Sequence, residues 1–249
     1  MIKFENVSKR YGDHIVLQNI NLKFETGQFI ALIGTSGCGK TTTLQMINRL
    51  IEPSTGTIYI DDMDIRELNP VELRRGIGYV IQEIGLFPHM TIKQNIEVVP
   101  KMLKWDKEKM DARSKELLKL VNMPEECLDR YPSSLSGGQQ QRIGVLRALA
   151  ADAPIILMDE PFGALDPITR SNLQDEIKLL QNKLKKTIVF VTHDMDEAIK
   201  IADQIVLMND GEVVQMSTPQ EMLDHPANDF VRDFFQKRGN MSKEKGEAE

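Results

Sequence analysis

The 249-residue sequence has little cysteine, no long apolar run and no excess of positive charge. Its two cysteines, Cys38 and Cys127, provide neither a disulfide framework nor a C-x-x-C pair, so we expect a reducing compartment. No stretch approaches the roughly 18 apolar residues that a membrane-spanning helix requires. The first residues lack a basic segment followed by an apolar one, so we expect no signal peptide. Any association with a membrane would therefore need a partner.

Charge and histidine content exclude two further classes. The formal net charge is −6, so the chain has no overall attraction to polynucleotides and we expect no nucleic-acid partner. The four histidines are scattered and lack the spacing of metal ligands, so we predict no zinc site. What remains is an ordinary globular composition, 41% hydrophobic and 27% charged, in a chain long enough to bury a substantial core.

The most informative stretch is G-T-S-G-C-G-K-T-T at residues 34–42. It follows an apolar run, residues 29–33, that predicts a buried strand, and it precedes a stretch in which Leu44 and Ile47 have helical spacing. Glycines in this setting allow backbone N–H groups to converge on phosphate oxygens at the positive end of a helix. The complete G-x-x-x-x-G-K-[ST] pattern makes a glycine-rich turn that binds nothing a poor alternative. The predicted phosphate-binding loop consists of Gly34, Thr35, Ser36, Gly37, Cys38, Gly39, Lys40, Thr41 and Thr42.

Side-chain roles follow for this loop and for an acidic pair. Lys40 would reach the β- and γ-phosphates of a nucleotide, and the Thr41 hydroxyl would ligate Mg²⁺. An apolar run at residues 154–158 predicts a strand that delivers Asp159 and Glu160 at its carboxyl end, where ligands bind in open parallel sheets. Asp159 suits Mg²⁺ coordination, and Glu160 could deprotonate an attacking water. Beside a phosphate-binding loop, this interpretation is favoured over a pair that merely caps the next helix.

A second glycine-rich segment, L-S-G-G-Q at residues 135–139, precedes another helical pattern. Its polar residues and glycines could form a second phosphate-sized nest at a helix N-terminus. For an isolated segment of this kind, an N-cap serine with a flexible loop would be the better interpretation. The residues of this second nest are Ser136, Gly137, Gly138 and Gln139.

Two single residues have open interpretations. Tyr11 lies just before a turn, where its ring could stack on a purine base, although packing in the turn is the commoner role for such a residue. His193 follows an apolar strand pattern at residues 187–192. It could donate a hydrogen bond to a γ-phosphate, although a lone histidine is usually structural.

The remaining pattern indicates an α/β chain. Strand patterns at residues 2–11, 14–24, 28–34 and 56–65 predict an antiparallel layer around the loop. Residues 91–123 have helical spacing with no intervening strand pattern, which indicates a helical insertion. A hairpin is predicted around Asp210 and Gly211, followed by short helices. Residues 239–249 are charged and lack apolar anchors, so they are predicted to be a disordered tail.

With G-T-S-G-C-G-K-T, Gln82, L-S-G-G-Q, I-L-M-D-E, A-L-D and His193 in this order, the sequence resembles the nucleotide-binding subunit of an ABC transporter. The resemblance covers nearly the whole chain, from Tyr11 to about Phe235. It implies an α/β P-loop ABC-type ATPase with a mainly parallel core sheet, an N-terminal antiparallel β layer and a helical subdomain. The ATPase domain would cover residues 1–238, with the helical subdomain inserted at about residues 88–145.

The resemblance also implies a reaction, the hydrolysis of ATP with Mg²⁺. Glu160 would be the general base, Gln82 would sense the metal and the water, and His193 would support the γ-phosphate. Asp166 of the A-L-D motif and Tyr11 would contact the nucleotide. The implied catalytic residues are Glu160, His193, Gln82 and Lys40. The implied metal ligands are Thr41, Gln82 and Asp159.

Partners are implied in the same way. In this family two subunits pack head to tail, so that Ser136 and Gly138 of one chain contact the ATP held by the loop of the other. We therefore expect a homodimer in the ATP-bound state. Integral membrane permease subunits would dock near Phe87 and His89 at the cytoplasmic face of the membrane. A substrate-binding protein would act only indirectly.

A finer match concerns residues 78–105, G-Y-V-I-Q-E-I-G-L-F-P-H onward to K-M-L-K-W. This segment is similar to ATPases of bacterial importers for glycine betaine, carnitine, choline and related quaternary amines. Many such relatives continue into a pair of CBS domains, and the resemblance leaves open whether this is a short member or a piece of a longer chain. An importer of another small solute, or a soluble ABC ATPase of translation or DNA repair, stays as the alternative. The latter usually carry two cassettes, long coiled coils or zinc hooks, which this sequence lacks.

Overall fold

The computed structural model describes residues 1–82, 85–163 and 165–236, and the strands in these ranges form two sheets. The larger sheet has six strands, of which five run parallel and one, at an edge, is antiparallel. This mainly parallel sheet confirms the predicted core. In spatial order its strands are β10 (Glu212–Ser217), β9 (Gln204–Asn209), β3 (Phe29–Gly34), β8 (Thr187–Val191), β7 (Ile155–Asp159) and β6 (Ile77–Val80).

The smaller sheet is antiparallel, which confirms the predicted N-terminal layer. Its strands, in spatial order, are β2 (His14–Phe24), β1 (Ile2–Tyr11), β4 (Thr55–Ile60) and β5 (Met63–Asp64). The assignment of residues 28–34 to this layer was wrong, because β3 pairs in parallel with β8 and β9. A local apolar pattern cannot reveal partners that lie more than 150 residues away. The strand predicted at residues 56–65 is also divided, by left-handed turns at Asp61 and Asp62.

Helices cover both faces of the larger sheet. Their bounds are α1 (Lys40–Ile47), α2 (Pro70–Arg75), α3 (Ile92–Met102), α4 (Lys107–Leu120), α5 (Gly137–Ala150), α6 (Pro167–Leu184), α7 (Met195–Ile201) and α8 (Pro219–Asp224). Residues 229–236 are also helical. None of the described helices is both long enough and apolar enough to cross a membrane.

The central strand β3 shows how the core is divided. Phe29, Ala31 and Ile33 join one buried cluster, and Ile30 and Leu32 join another, because successive side chains of a strand point to opposite faces. The first cluster includes α3 to α6, and the second lies between the sheet, α1 and the antiparallel layer. The carboxyl ends of β3, β6, β7 and β8 therefore share one edge of a rigid sheet.

Between β6 and β7 the described residues form helices, turns and loops. Helices α3, α4 and α5 pack together and bury apolar side chains such as those of Leu118 and Leu146. The boundaries of a helical subdomain at residues 88–145 stay a prediction. Residues 237–249, which include the predicted tail and the end of the predicted 1–238 domain, lie outside the described residues.

Candidate active site

The predicted phosphate-binding loop connects the carboxyl end of β3 to α1. Its three glycines, Gly34, Gly37 and Gly39, have φ values of 148°, 79° and 99°, a region that side chains disfavour. A Cβ on Gly34 would lie 2.0 Å from the Met208 carbonyl oxygen, and one on Gly39 would lie 2.4 Å from Leu17 Cδ2. Conformation thus favours glycine at all three positions, and lack of space also requires it at Gly34 and Gly39.

Lys40 folds back over this loop. Its Nζ donates to the carbonyl oxygens of Gly34 at 3.1 Å and Thr35 at 2.9 Å. Helix α1 begins after Gly39 with no side-chain cap among the described residues, so its first N–H groups face the loop. Cys38 is buried, with Sγ 3.8 Å from Lys40 Nζ, so its thiol packs beneath the loop. The arrangement offers N–H groups and one ammonium to an anion.

Asp159, at the end of β7, lies directly beneath the start of α1. The Thr41 hydroxyl donates to Asp159 Oδ1 at 3.1 Å. Burial raises the pKa of the Asp159 carboxyl, the Thr41 hydrogen bond opposes this effect, and the neighbouring Glu160 charge adds to the rise. A hydroxyl beside a buried carboxylate supplies the hard oxygen ligands that Mg²⁺ prefers, so these residues fit a magnesium ion.

Glu160 is contacted from two other strand ends. Gln82, just beyond β6, donates from Nε2 to Glu160 Oε2 at 3.1 Å, and His193 Nδ1, beyond β8, lies 3.4 Å from the same oxygen. Three strands far apart in sequence therefore bring a carboxylate, an amide and an imidazole to one point. This point borders the phosphate-binding loop.

A cavity of about 300 Å³ occupies the space between the loop and Glu160. Of the predicted residues, Ser36, Gly37, Gly39, Lys40, Thr41, Thr42, Glu160 and His193 line it, together with Val16 and Val191. Sequence reasoning missed Val16, because only the tertiary structure brings β2 against the loop. Its position one residue before the buried Leu17 carries no local signal for a binding role.

The second predicted nest does not line this cavity. Ser136 is the N-cap of α5: its Oγ accepts from the Gln139 N–H at 3.3 Å, and Gln139 Oε1 accepts from the Ser136 N–H at 3.0 Å. This closed capping box corresponds to the N-cap interpretation, and the S-x-x-Q spacing would have predicted it. A Cβ on Gly138 would meet Thr169 Cγ2 at 2.7 Å, so the start of α5 packs against α6.

Tyr11 and Asp166 also lie outside the cavity lining. Tyr11 ends β1 with half of its surface exposed, and Lys9 Nζ lies 4.7 Å from its ring centre. Asp166 is the exposed N-cap of α6, where its Oδ1 accepts from the Thr169 N–H at 3.0 Å. Hydrogen bonding from Thr169 lowers the pKa of the Asp166 carboxyl. Ala164 of the A-L-D motif lies outside the described residues.

Comparison with known proteins relates this geometry to a family. The family model described as ABC transporter matches residues 17–163. The carnitine transport ATP-binding protein OpuCA of Listeria monocytogenes is 65% identical over 238 residues, which are 95% of this chain and 60% of that protein. The glycine betaine/carnitine/choline transport ATP-binding protein OpuCA of Bacillus subtilis (strain 168) is 66% identical over 238 residues, 95% of this chain and 63% of that protein. The chain thus spans about 60% of the length of these curated relatives.

A solved structure agrees with the fold. The dimeric structure of a post-hydrolysis state of the ATP-binding cassette MJ0796, bound to ADP and Pi, is similar with a TM-score of 0.77 and 37% sequence identity. The similarity covers 88% of this chain and 99% of that one. The family model matches residues 17–163, which is more than half of the chain, so the chain belongs to the ABC transporter family.

Proposed function

We propose that the chain binds and hydrolyses ATP to drive import through a membrane ABC transporter, and that the imported solutes are quaternary amines such as glycine betaine, carnitine and choline. The observation that carries the hydrolysis is the meeting of Gln82 and His193 on one carboxylate oxygen of Glu160, at the edge of the loop cavity. A carboxylate held from two sides beside a phosphate site is positioned to accept a proton from water.

The chain's own residues account for the main steps. The N–H groups at the start of α1 and the ammonium of Lys40 stabilise the phosphate oxygens. When it binds phosphate, Lys40 gives up its hydrogen bonds to the carbonyl oxygens of Gly34 and Thr35. Thr41, Asp159 and Gln82 would hold Mg²⁺, which when bound neutralises charge that develops on the phosphoryl group. Glu160 takes the proton of the attacking water, and His193 donates a hydrogen bond to the γ-phosphate.

Each ATP site is shared between two copies of the chain in this proposal. Gly34 to Thr42 lie in one phosphate site, whereas Ser136 and Gly138 begin a second helix outside the same cavity. Head-to-tail pairing would bring the second helix start of one copy to the loop of the other, with Tyr11 and Asp166 near the nucleotide. ATP would then hold the homodimer together, and hydrolysis would release it.

The proposed membrane partner docks beside Gln82. A groove of about 400 Å³ is lined by apolar residues that include Ile81 and Phe87, which are 41% and 40% exposed, and by Arg74, Arg75 and Arg147. The buried Asn95 fixes this edge, because it accepts from the Phe87 N–H at 2.7 Å and donates to the Phe87 carbonyl at 3.1 Å. A short helix of an integral membrane permease would fit the groove and hold the chain at the cytoplasmic face of the membrane. A substrate-binding protein would act through the permease alone.

The nature of the solute is supported by relatives, not by site chemistry. The solute does not contact an ATP-binding subunit, so the chemistry of the site does not identify it. The names of the two OpuCA proteins include carnitine, and one also includes glycine betaine and choline. Importers of other small solutes remain the competing function, and transport measurements decide between them.

The test uses the chain assembled with its permease in proteoliposomes. We expect MgATP-dependent uptake of radiolabelled carnitine, glycine betaine or choline, and loss of both uptake and ATP hydrolysis in Lys40→Ala. Phe87→Glu should retain ATP binding but reduce recovery with the permease, whereas Leu223→Glu, a similarly exposed apolar residue on α8, should copurify normally. ATP hydrolysis without uptake of any quaternary amine would reject the proposed solute class. Normal recovery of Phe87→Glu would reject the docking groove.

A further inference from the structure

Gln141 connects the second nest to the carboxylate of the first site. It lies in the second turn of α5, the helix that Ser136 caps, and only 4% of it is exposed. Its Nε2 donates to the carbonyl oxygen of Pro161 at 2.6 Å. Pro161 directly follows Glu160, so one hydrogen bond joins the L-S-G-G-Q helix to the residue next to the proposed general base.

The backbone at Glu160 needs such support. Glu160 has φ of 46°, a left-handed conformation that residues with a Cβ seldom adopt. Its N–H donates to the Val191 carbonyl at 3.0 Å, and its carbonyl accepts from the Gly163 N–H at 3.3 Å. The hydrogen bond from Gln141 fixes the carbonyl group of the following residue, Pro161. Strained conformations of this kind persist only where the surroundings fix them, and they occur often at functional sites.

We propose that Gln141 is a positioning residue, which holds Glu160 in its strained conformation and transmits displacement of the α5 N-terminus to it. The inference rests on the proposed function of Glu160 as the base. A helix moves as a unit, so a triphosphate held by a second copy that contacts Ser136 would shift Gln141, and with it Glu160 of the same chain. Each site would then depend on nucleotide in the other. The simpler alternative is that Gln141 only satisfies a buried carbonyl and contributes stability alone.

The chain offers a matched control. Gln181 on α6 is 3% exposed and also donates from Nε2 to backbone carbonyls, those of Gly27 and Lys186, at the far ends of β3 and β8. Replacing either glutamine by methionine keeps an unbranched side chain of similar length and removes the amide. Both variants should lose thermal stability, but only Gln141→Met should disturb Glu160.

We expect Gln141→Met to lower kcat for MgATP about 10- to 10²-fold, the usual effect of misplacing a reacting group by up to about 1 Å, with KM within about twofold of the wild-type value. Gln181→Met should retain the wild-type kcat. Should Gln141→Met prove insoluble, Gln141→Asn keeps an amide that is too short to reach Pro161 and allows the same comparison.

A double-mutant cycle separates positioning from general damage. In a Glu160→Gln background, Gln141→Met should lower the residual rate no further, because the base that it positions is already lost. An equal loss in both backgrounds, or a wild-type kcat for Gln141→Met, would overturn the inference. Absence of hydrolysis in the wild-type chain would reject the proposed function itself, and the two failures are therefore distinguishable.

Discussion

Helices α1 and α5 both start at a glycine-rich segment, yet their first turns differ. The N-cap of α1 is Gly39, with φ of 99° and no side-chain cap among the described residues, and a cavity lies in front of it. The N-cap of α5 is Ser136, which exchanges hydrogen bonds with Gln139 in a complete capping box. The first helix leaves its N–H groups available to a ligand. The start of the second helix satisfies two of its own N–H groups with the side chains of Ser136 and Gln139.

This difference shows that a glycine-rich helix start is not sufficient for a phosphate site. An anion at α1 gains N–H groups and the Lys40 ammonium without displacing a cap. An anion at α5 must either compete with the capping box, whose side-chain bonds are worth about 1 kcal/mol, or contact Ser136 and the Gly137 N–H alongside it. We infer that α1 binds nucleotide first and that α5 joins an already bound phosphate of a second copy.

The largest expected effect concerns the first site. Glu160→Gln keeps the hydrogen-bonding shape but removes the base, so ATP hydrolysis should slow by about 10²- to 10⁴-fold. The variant should then accumulate as an ATP-bound dimer, whereas Lys40→Ala should bind ATP poorly and stay monomeric. Light scattering with and without MgATP measures both. A Glu160→Gln chain that stays monomeric at saturating nucleotide would refute a shared site in the isolated subunit.

The second site can be blocked without touching the first. Ser136→Arg places a long side chain at the start of α5, about where the partner's phosphates would lie in a shared site. ATP binding by the single chain should be unchanged, because Ser136 is outside the loop cavity, but ATP-dependent dimerisation should be lost even in the Glu160→Gln background. Equilibrium binding of a fluorescent ATP analogue, combined with light scattering, reports the two properties separately. Dimerisation of Ser136→Arg would contradict the assignment of α5 to the site.

The same substitution, glycine to alanine, should affect stability differently in the two glycine-rich segments. Gly37→Ala introduces no close contact, but φ of 79° makes the left-handed residue unfavourable by about 1–2 kcal/mol. Gly137 has no atom near the position of a Cβ and an ordinary helical φ, so Gly137→Ala should be neutral or stabilise the chain by about 0.5 kcal/mol. Chemical denaturation gives both free energies of unfolding. Equal destabilisation by the two variants would contradict the stated difference in backbone conformation between Gly37 and Gly137.

The sequence predicted the components of the site better than their arrangement. The loop, the acidic strand end and the strand preceding His193 were visible because each is a local pattern. The pairing of β3 with β8 and β9, the placement of Val16 and the contact of Gln141 with Pro161 were not, because each joins segments at least 20 residues apart through packing. The closed cap of α5 is different, since Ser136 and Gln139 have the spacing of a capping box in the sequence itself.

The smallest expected effect separates the cap of α5 from its proposed contact with nucleotide. Ser136→Ala should cost about 1 kcal/mol of stability, because the Gln139 N–H loses its acceptor. Thr218→Ala removes the equivalent side chain from the capping box of α8, where Thr218 and Glu221 make the same pair of bonds, and should cost a similar amount. In the Glu160→Gln background, only Ser136→Ala should also weaken the ATP-dependent dimer, by about 30-fold if one net hydrogen bond of about 1 kcal/mol is lost at each of the two sites. Analytical ultracentrifugation at several protein concentrations measures this difference. If both alanine variants dimerise with the affinity of their parent, the Ser136 side chain only caps its own helix. The phosphate contact at α5 would then come from the backbone of the glycines.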